Sequence, residues 1–204
     1  MDEIILKSEA ITKQILFLFH GYGANKDDLL PVGEELKQSL PNTEIRLKNG
    51  IESCDGGFGR QWFPLRGEDI QIWSKDFENN APEIMKYIDS VINEKNLSYR
   101  DVILAGFSQG AMISLSLGLR LNVKAVIAFS GLLLSPPISG NNINTKVLLT
   151  HGALDDVIPI SAMHLAEEAL QNLGVDVKTV SSANVAHGID NYILSRTVDF
   201  LKGL

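Results

Sequence analysis

Cysteine occurs once in 204 residues, so no disulfide can close within the chain and no paired-cysteine metal centre can form. That cysteine, Cys54, sits in a glycine-bearing loop and reads as a loop thiol rather than a nucleophile. Cations are scarce too: 18 Lys and Arg face 25 Asp and Glu, for a net charge of -7. No basic cluster offers the phosphate contacts that nucleic acid needs, and the balance disfavours anionic membrane surfaces. The densest apolar run, Ile15–Phe19, is far shorter than the roughly 20 residues of a spanning helix. The start Met1-Asp2-Glu3 has neither the basic region nor the apolar stretch of a secretory signal, so a cytoplasmic location is expected. Internal repeats and linker-like composition are absent as well. With 45% hydrophobic residues the chain is expected to form one domain, residues 1–204, around one sizeable core.

What is present is an alternation of short apolar runs and helix-like segments, which predicts a mainly parallel central sheet flanked by helices. Strands are expected over 4–6 (an edge), 14–19, 44–47, 101–105, 123–129, 146–150 and 176–180. Helices are expected over 26–39, with Pro31 in its first turns, 77–93, capped by Ser74 or Asp76, 111–119, 161–172, stopped by Gly174, and 192–201. Residues 134–145, rich in proline and asparagine, read as a surface loop. Residues 51–65 break the pattern: they carry Gly56, Gly57 and Gly59, then Trp62-Phe63-Pro64. Such a loop lines or covers a site, unless its aromatics plug the edge of the core.

Gly106-Phe107-Ser108-Gln109-Gly110 lies between an apolar strand and a small-residue helix, a G-x-S-x-G on a strand-to-helix turn. A serine at that tip occupies a strained backbone, and its flanking glycines let strand and helix approach. The N–H of Gln109 then points from a helix N-terminus at any oxyanion formed on Ser108. A serine hydroxyl needs a histidine base, and the base needs a carboxylate to fix its tautomer. Among the histidines, His20 and His151 precede glycines at strand ends and read as turn buttresses, and His164 lies within a helix. His187, in the loop after the last strand, is the expected base. Asp155 and Asp156 both follow the strand ending at Thr150 and can reach the same edge. Asp101 lies at the opposite end of the sheet, Asp190 is placed to cap the last helix, and Ser130 reads as a strand-end residue. The order serine, acid, histidine is that of α/β-hydrolases. His20-Gly21-Tyr22-Gly23, after a neighbouring strand, is expected to supply the second oxyanion donor from the Tyr22 N–H.

HGYGAN at 20–25, the Trp62-Phe63 pair, GFSQGA at 106–111, HG-x-x-D-x-x-x-P at 151–159 and the late His187 together resemble the phospholipase/carboxylesterase family of small α/β-hydrolases, which includes acyl-protein thioesterases and lysophospholipase-like esterases. The resemblance runs from about Gln14 to the C-terminus. It implies a fold without a large cap domain and a triad on Ser108, Asp155 and His187, with Asp155 rather than Asp156 as the acid. It implies oxyanion donors at Tyr22 and Gln109, and a loop around Trp62, with Phe58 and Phe63, lining an apolar acyl site. The expected reaction is hydrolysis of a small-molecule, lipid or protein acyl ester or thioester, without metal or organic cofactor. Ala153, Asp156 and Asn184 stand where the family often has an acid, a proline and a glycine; these departures bear on the acid loop and the substrate. Other readings are a dienelactone-type or peptidase-like hydrolase and a non-catalytic acyl-binding scaffold. The first normally carries cysteine at the position of Ser108, and the second an extra domain that nothing in this sequence resembles. Binding alone requires no strained serine.

Overall fold

The apolar runs become strands of one sheet in a computed structural model that describes residues 3–55, 57–135 and 144–204. In chain order the elements are β1 (Glu3–Leu6), β2 (Gln14–Phe19), α1 (Leu30–Gln38), β3 (Thr43–Lys48), β4 (Glu52–Ser53), β5 (Arg60–Gln61) and α2 (Ile70–Lys95). Then follow β6 (Val102–Phe107), α3 (Gln109–Leu121), β7 (Ala125–Phe129), β8 (Lys146–Gly152), α4 (Ser161–Gln171), β9 (Asp176–Ser182) and α5 (Asn191–Lys202). The loop expected over 134–145 falls largely outside the described residues.

Seven strands pair in the order β1-β3-β2-β6-β7-β8-β9. The edge strand β1 runs antiparallel to β3, and the remaining pairs are parallel. From β2 the chain first winds outward to β3, then crosses to β6 and winds the other way to β9. The reversal opens a crevice beyond the carboxyl ends of β2 and β6, the place where open α/β sheets bind ligands.

Both faces of the sheet are covered, which is why its central strands are continuous apolar runs rather than alternating ones. In β6, Val102 and Leu104 pack with Ile84 and Ile88 of α2, Met112 of α3 and Leu170 of α4. Ile103 and Ala105 face the other way, toward Leu36 of α1 and Ile193 and Phe200 of α5.

Most boundaries fall within about two residues of expectation, and the starts of the first two helices differ by more. The first helix begins at Leu30, because Asn25, Asp27 and Asp28 form a polar turn: Asp27 N–H donates to Asn25 Oδ1 (2.7 Å) and Asn25 N–H to Asp28 Oδ2 (2.7 Å). The second begins at Ile70, where Asp69 accepts from Gln71 N–H (2.8 Å); Ser74 and Asp76 lie inside it and cap nothing. The 51–65 segment also holds a small antiparallel pair, β4 with β5, which no periodicity announced.

Candidate active site

Ser108 opens α3 with φ 53° and ψ -115°, a backbone that strains a non-glycine residue by roughly 1–3 kcal/mol. The turn is held by its main chain. Ser108 N–H donates to Phe129 O (2.9 Å), and Ser108 O accepts from Ala111 N–H (3.0 Å) and Met112 N–H (3.2 Å). Both flanking glycines are sterically required: a Cβ on Gly106 would stand 2.3 Å from the Gly110 carbonyl, and one on Gly110 2.0 Å from Phe19 O. The motif is therefore satisfied in three dimensions, with β6, α3 and the end of β2 packed backbone to backbone around the serine.

The acid and the histidine meet because two loops are laced together. After β8, Ala153 N–H donates to Ser182 O (2.8 Å) and Leu154 N–H to Val185 O (2.9 Å). A Cβ on Gly152 would lie 2.1 Å from Ala186 O, so this approach requires glycine. Asp155 Oδ2 consequently sits 2.8 Å from His187 Nδ1. Its other oxygen, Oδ1, accepts from Val157 N–H (3.0 Å) and Ile158 N–H (2.9 Å). Burial pushes the Asp155 pKa up. The hydrogen bonds from His187, Ile158 and Val157 outweigh that and hold it below the usual carboxylate value. With a carboxylate on its Nδ1, His187 carries its proton there, which leaves Nε2 as an acceptor. The Phe107 ring, 4.7 Å away between centroids, flanks the imidazole. Asp156 is exposed, so of the two adjacent aspartates the structure gives Asp155 to His187.

None of the remaining histidines lines the cleft that Ser108 and His187 share. His20 is buried, with Nδ1 2.7 Å from Gly21 O and Nε2 accepting from Gly50 N–H (2.8 Å); burial lowers its pKa. His151 Nε2 lies 2.7 Å from Ile158 O and 3.3 Å from Asp155 Oδ2. His164 is exposed on α4, 3.9 Å from Glu167. Asp190 caps α5, accepting from Ile193 N–H (2.8 Å), and Ser130 is buried at the end of β7.

Ser108 and His187 line one cleft of ≈ 620 Å³, together with Gly21, Tyr22, Ala24 and Asp28. Its apolar wall comes from Leu29 and Val32 at α1, Leu65, Phe107, Val157 and Ile189. This corrects the expected lining. Trp62 and Phe63 are 0% exposed and belong to the core, packed with Phe19 and Phe77, while Phe58 is 89% exposed between β4 and β5 and does not reach the cleft. Leu65 is the one contribution from the described residues of the 51–65 segment. Leu29 and Val32 lie within the helix expected over 26–39, and the signal in the sequence for a place at the cleft is their closeness to the glycine loop at 20–25. Among the described residues no group of three or more His, Cys, Asp or Glu is placed to hold a metal, and no helix is long and apolar enough to cross a membrane.

Comparison with known proteins bears on the family and the fold. Esterase PE8, a solved structure, is 35% identical and superposes with a TM-score of 0.90, covering 98% of this chain and 97% of its own. Esterase YpfH of Escherichia coli (strain K12) is 28% identical over 98% of this chain and 88% of its own length. Acyl-protein thioesterase 1 of Saccharomyces cerevisiae is 26% identical over 78% of each. The family model described as phospholipase/carboxylesterase matches residues 1–204. A match over that span, on a mostly parallel seven-stranded sheet with no large cap among the described residues, leaves one assignment: the chain belongs to the phospholipase/carboxylesterase family, and its fold is the α/β-hydrolase fold.

Proposed function

We propose that this single-domain chain is a serine carboxylesterase that hydrolyses acyl esters or thioesters through Ser108, His187 and Asp155. The observation that carries the reading is the 2.8 Å contact between His187 Nδ1 and buried Asp155 Oδ2 at a cleft that Ser108 also lines. In this mechanism Ser108 Oγ attacks the acyl carbon as its proton passes to His187 Nε2. The carbonyl oxygen becomes an oxyanion, met by the N–H groups of Tyr22 and Gln109 at the start of α3. Collapse expels the alcohol or thiol, which takes the proton from His187, and leaves an acyl ester on Ser108. Water repeats the sequence: His187 removes its proton, the tetrahedral adduct collapses, and the carboxylic acid departs as Ser108 regains its hydrogen. Asp155 stays ionised throughout and stabilises the imidazolium.

The apolar wall of Leu29, Val32, Leu65, Phe107, Val157 and Ile189 supports an aliphatic acyl or alcohol portion. Relatives named esterase and acyl-protein thioesterase support both oxygen and thiol leaving groups, with an acylated protein among the candidate substrates. The net charge of -7 and the free, buried Cys54 support an acidic protein working in the reducing cytoplasm, without nucleic acid. No step calls on a metal or an organic cofactor.

The test is a chain-length series of p-nitrophenyl esters and thioesters, run beside Ser108→Ala and a fluorophosphonate label. Wild type is expected to turn over and to be labelled, with Ser108→Ala slower by roughly 10⁴-fold or more. Absence of both turnover and labelling in wild type would refute the esterase reading and favour an acyl-binding scaffold.

A further inference from the structure

Three buried side chains outside the triad meet behind the two peptide groups expected to bind the oxyanion. His20 Nε2 accepts from Gly50 N–H (2.8 Å), which leaves Nδ1–H to donate to Gly21 O (2.7 Å). Ala24 N–H donates to the same carbonyl (3.3 Å). Gly21 C=O and Tyr22 N–H belong to one planar trans peptide and point in opposite directions. Holding that carbonyl therefore sets the direction of the Tyr22 N–H. The preceding carbonyl, His20 O, is held in turn by the indole N–H of Trp62 (3.0 Å).

The second donor is clamped from the same place. Gln109 is 0% exposed, and its amide is used at both ends: Oε1 accepts from Trp62 N–H (2.9 Å), and Nε2 donates to Phe63 O (2.7 Å). A Gln109 fastened at its side chain cannot rotate its backbone N–H without breaking two buried hydrogen bonds. Trp62 is itself anchored, its carbonyl accepting from Asn80 Nδ2 (2.9 Å) and its ring standing edge-on to Phe19 (centroids 4.9 Å apart). One residue thus touches both arms of the oxyanion site from behind, inside the core.

We infer that His20, Trp62 and Gln109 act through their side chains as positioning residues, a buried brace that fixes the directions of the Tyr22 and Gln109 N–H donors relative to Ser108. The inference rests on the esterase reading and deepens it. It also gives the Trp62-Phe63 pair a task other than lining the acyl site: the tryptophan serves the oxyanion rather than the acyl chain.

The experiment uses Trp62→Phe, which keeps an aromatic ring against Phe19 but removes the donor to His20 O, and Gln109→Met, which removes both ends of the clamp at similar length. Each is assayed for kcat and KM on a soluble p-nitrophenyl ester. Each is also examined by infrared spectroscopy of the acyl-enzyme formed from a slowly deacylating p-nitrophenyl pivalate. Deleting an oxyanion donor outright lowers turnover by roughly 10²–10³-fold, so misaligning one should lower kcat by about tenfold with KM within about twofold. The acyl carbonyl stretch should rise in frequency as its hydrogen bonds weaken. A lowered melting temperature with wild-type kcat and an unmoved carbonyl band would overturn the brace and leave the three residues merely structural. A wild type that neither turns over the soluble ester nor is labelled by a fluorophosphonate is the separate failure: it removes the esterase reading, and the brace falls with it.

Discussion

Asp155 keeps a buried carboxylate ionised because both of its oxygens are matched: the imidazole of His187 on one, the N–H groups of Val157 and Ile158 on the other. Its folded pKa is depressed, so the group contributes stability that is present above the unfolded carboxylate value of about 3.9. That contribution is lost as pH falls through the lower folded value. Asp155→Asn removes the titrating group; its amide oxygen is claimed by the Val157 and Ile158 N–H groups, so its NH2 faces His187 Nδ1 and makes that nitrogen the acceptor. Urea unfolding of both proteins from about pH 5 down to pH 3 should show wild type losing more stability than the variant over this window. Parallel pH dependences would mean that Asp155 titrates alike in the folded and unfolded chains. At pH 7 the same variant should hydrolyse esters on the order of 10⁴-fold more slowly, since the wrong imidazole tautomer then faces Ser108.

Among the elements, α2 tests how local chemistry sets a boundary. Asp69 takes an extended conformation and accepts from Gln71 N–H, satisfying one of the donors left open in a first helical turn. Asp69→Ala should destabilise the protein by about 1 kcal/mol. In a chain of this size that is a fall of about 2–4 °C in Tm, without change in kcat. Ser74→Ala, inside the helix, should have the smaller effect, and a larger loss at Ser74 would show that the working cap lies there. The sequence pointed to the wrong cap because the first turns of α2 are poorly buried, with Ile70 and Ile72 half exposed, so the clearest apolar periodicity begins only at Phe77. By contrast β2 and β6 were legible, since a strand buried on both faces is an unbroken apolar run. The two-residue strands β4 and β5 are shorter than any period. Strand-end placement brought Asp155, His187 and Ser108 to one edge of the sheet on paper, because a parallel sheet puts every strand's carboxyl end on the same side. The cleft wall was not legible: Leu29, Leu65, Val157 and Ile189 come from four segments that only the assembled fold brings together. Nor does an aromatic pair in a glycine-bearing loop reveal which way it faces, and Trp62 and Phe63 face inward.

At the scale of the whole molecule, the side of the sheet away from β7–β9 is held by charge as well as by apolar contact. Arg46 on β3 is buried between two acids, with Nη2 2.6 Å from Glu44 Oε1 and Nη1 3.2 Å from Glu3 Oε2 on the antiparallel edge strand β1. Lys95, in the last turn of α2, reaches Glu44 Oε2 at 3.1 Å, and the Tyr87 hydroxyl donates to Glu3. Burial pushes the Tyr87 pKa far up, with the hydrogen bond to Glu3 acting in the same direction, so the hydroxyl keeps its proton and its donor role. Burial opposes the charge on Arg46, but its hydrogen bond to Glu44 and the nearby acids outweigh that and raise its pKa. The network therefore joins β1, β3 and α2 through a cation whose removal would leave Glu44 buried with its main partner gone. Arg46→Met should lower the unfolding free energy by about 3–5 kcal/mol, the usual result of breaking a buried pair from one side. In urea this would appear as a lower midpoint with an unchanged slope, because the surface exposed on unfolding stays the same. The cleft is lined by none of these residues, so the folded variant should keep wild-type kcat and KM. A loss below about 1 kcal/mol, the range of exposed ion pairs, would mean that water reaches the network and that the backbone ladder with β3 and apolar packing hold β1 to the sheet.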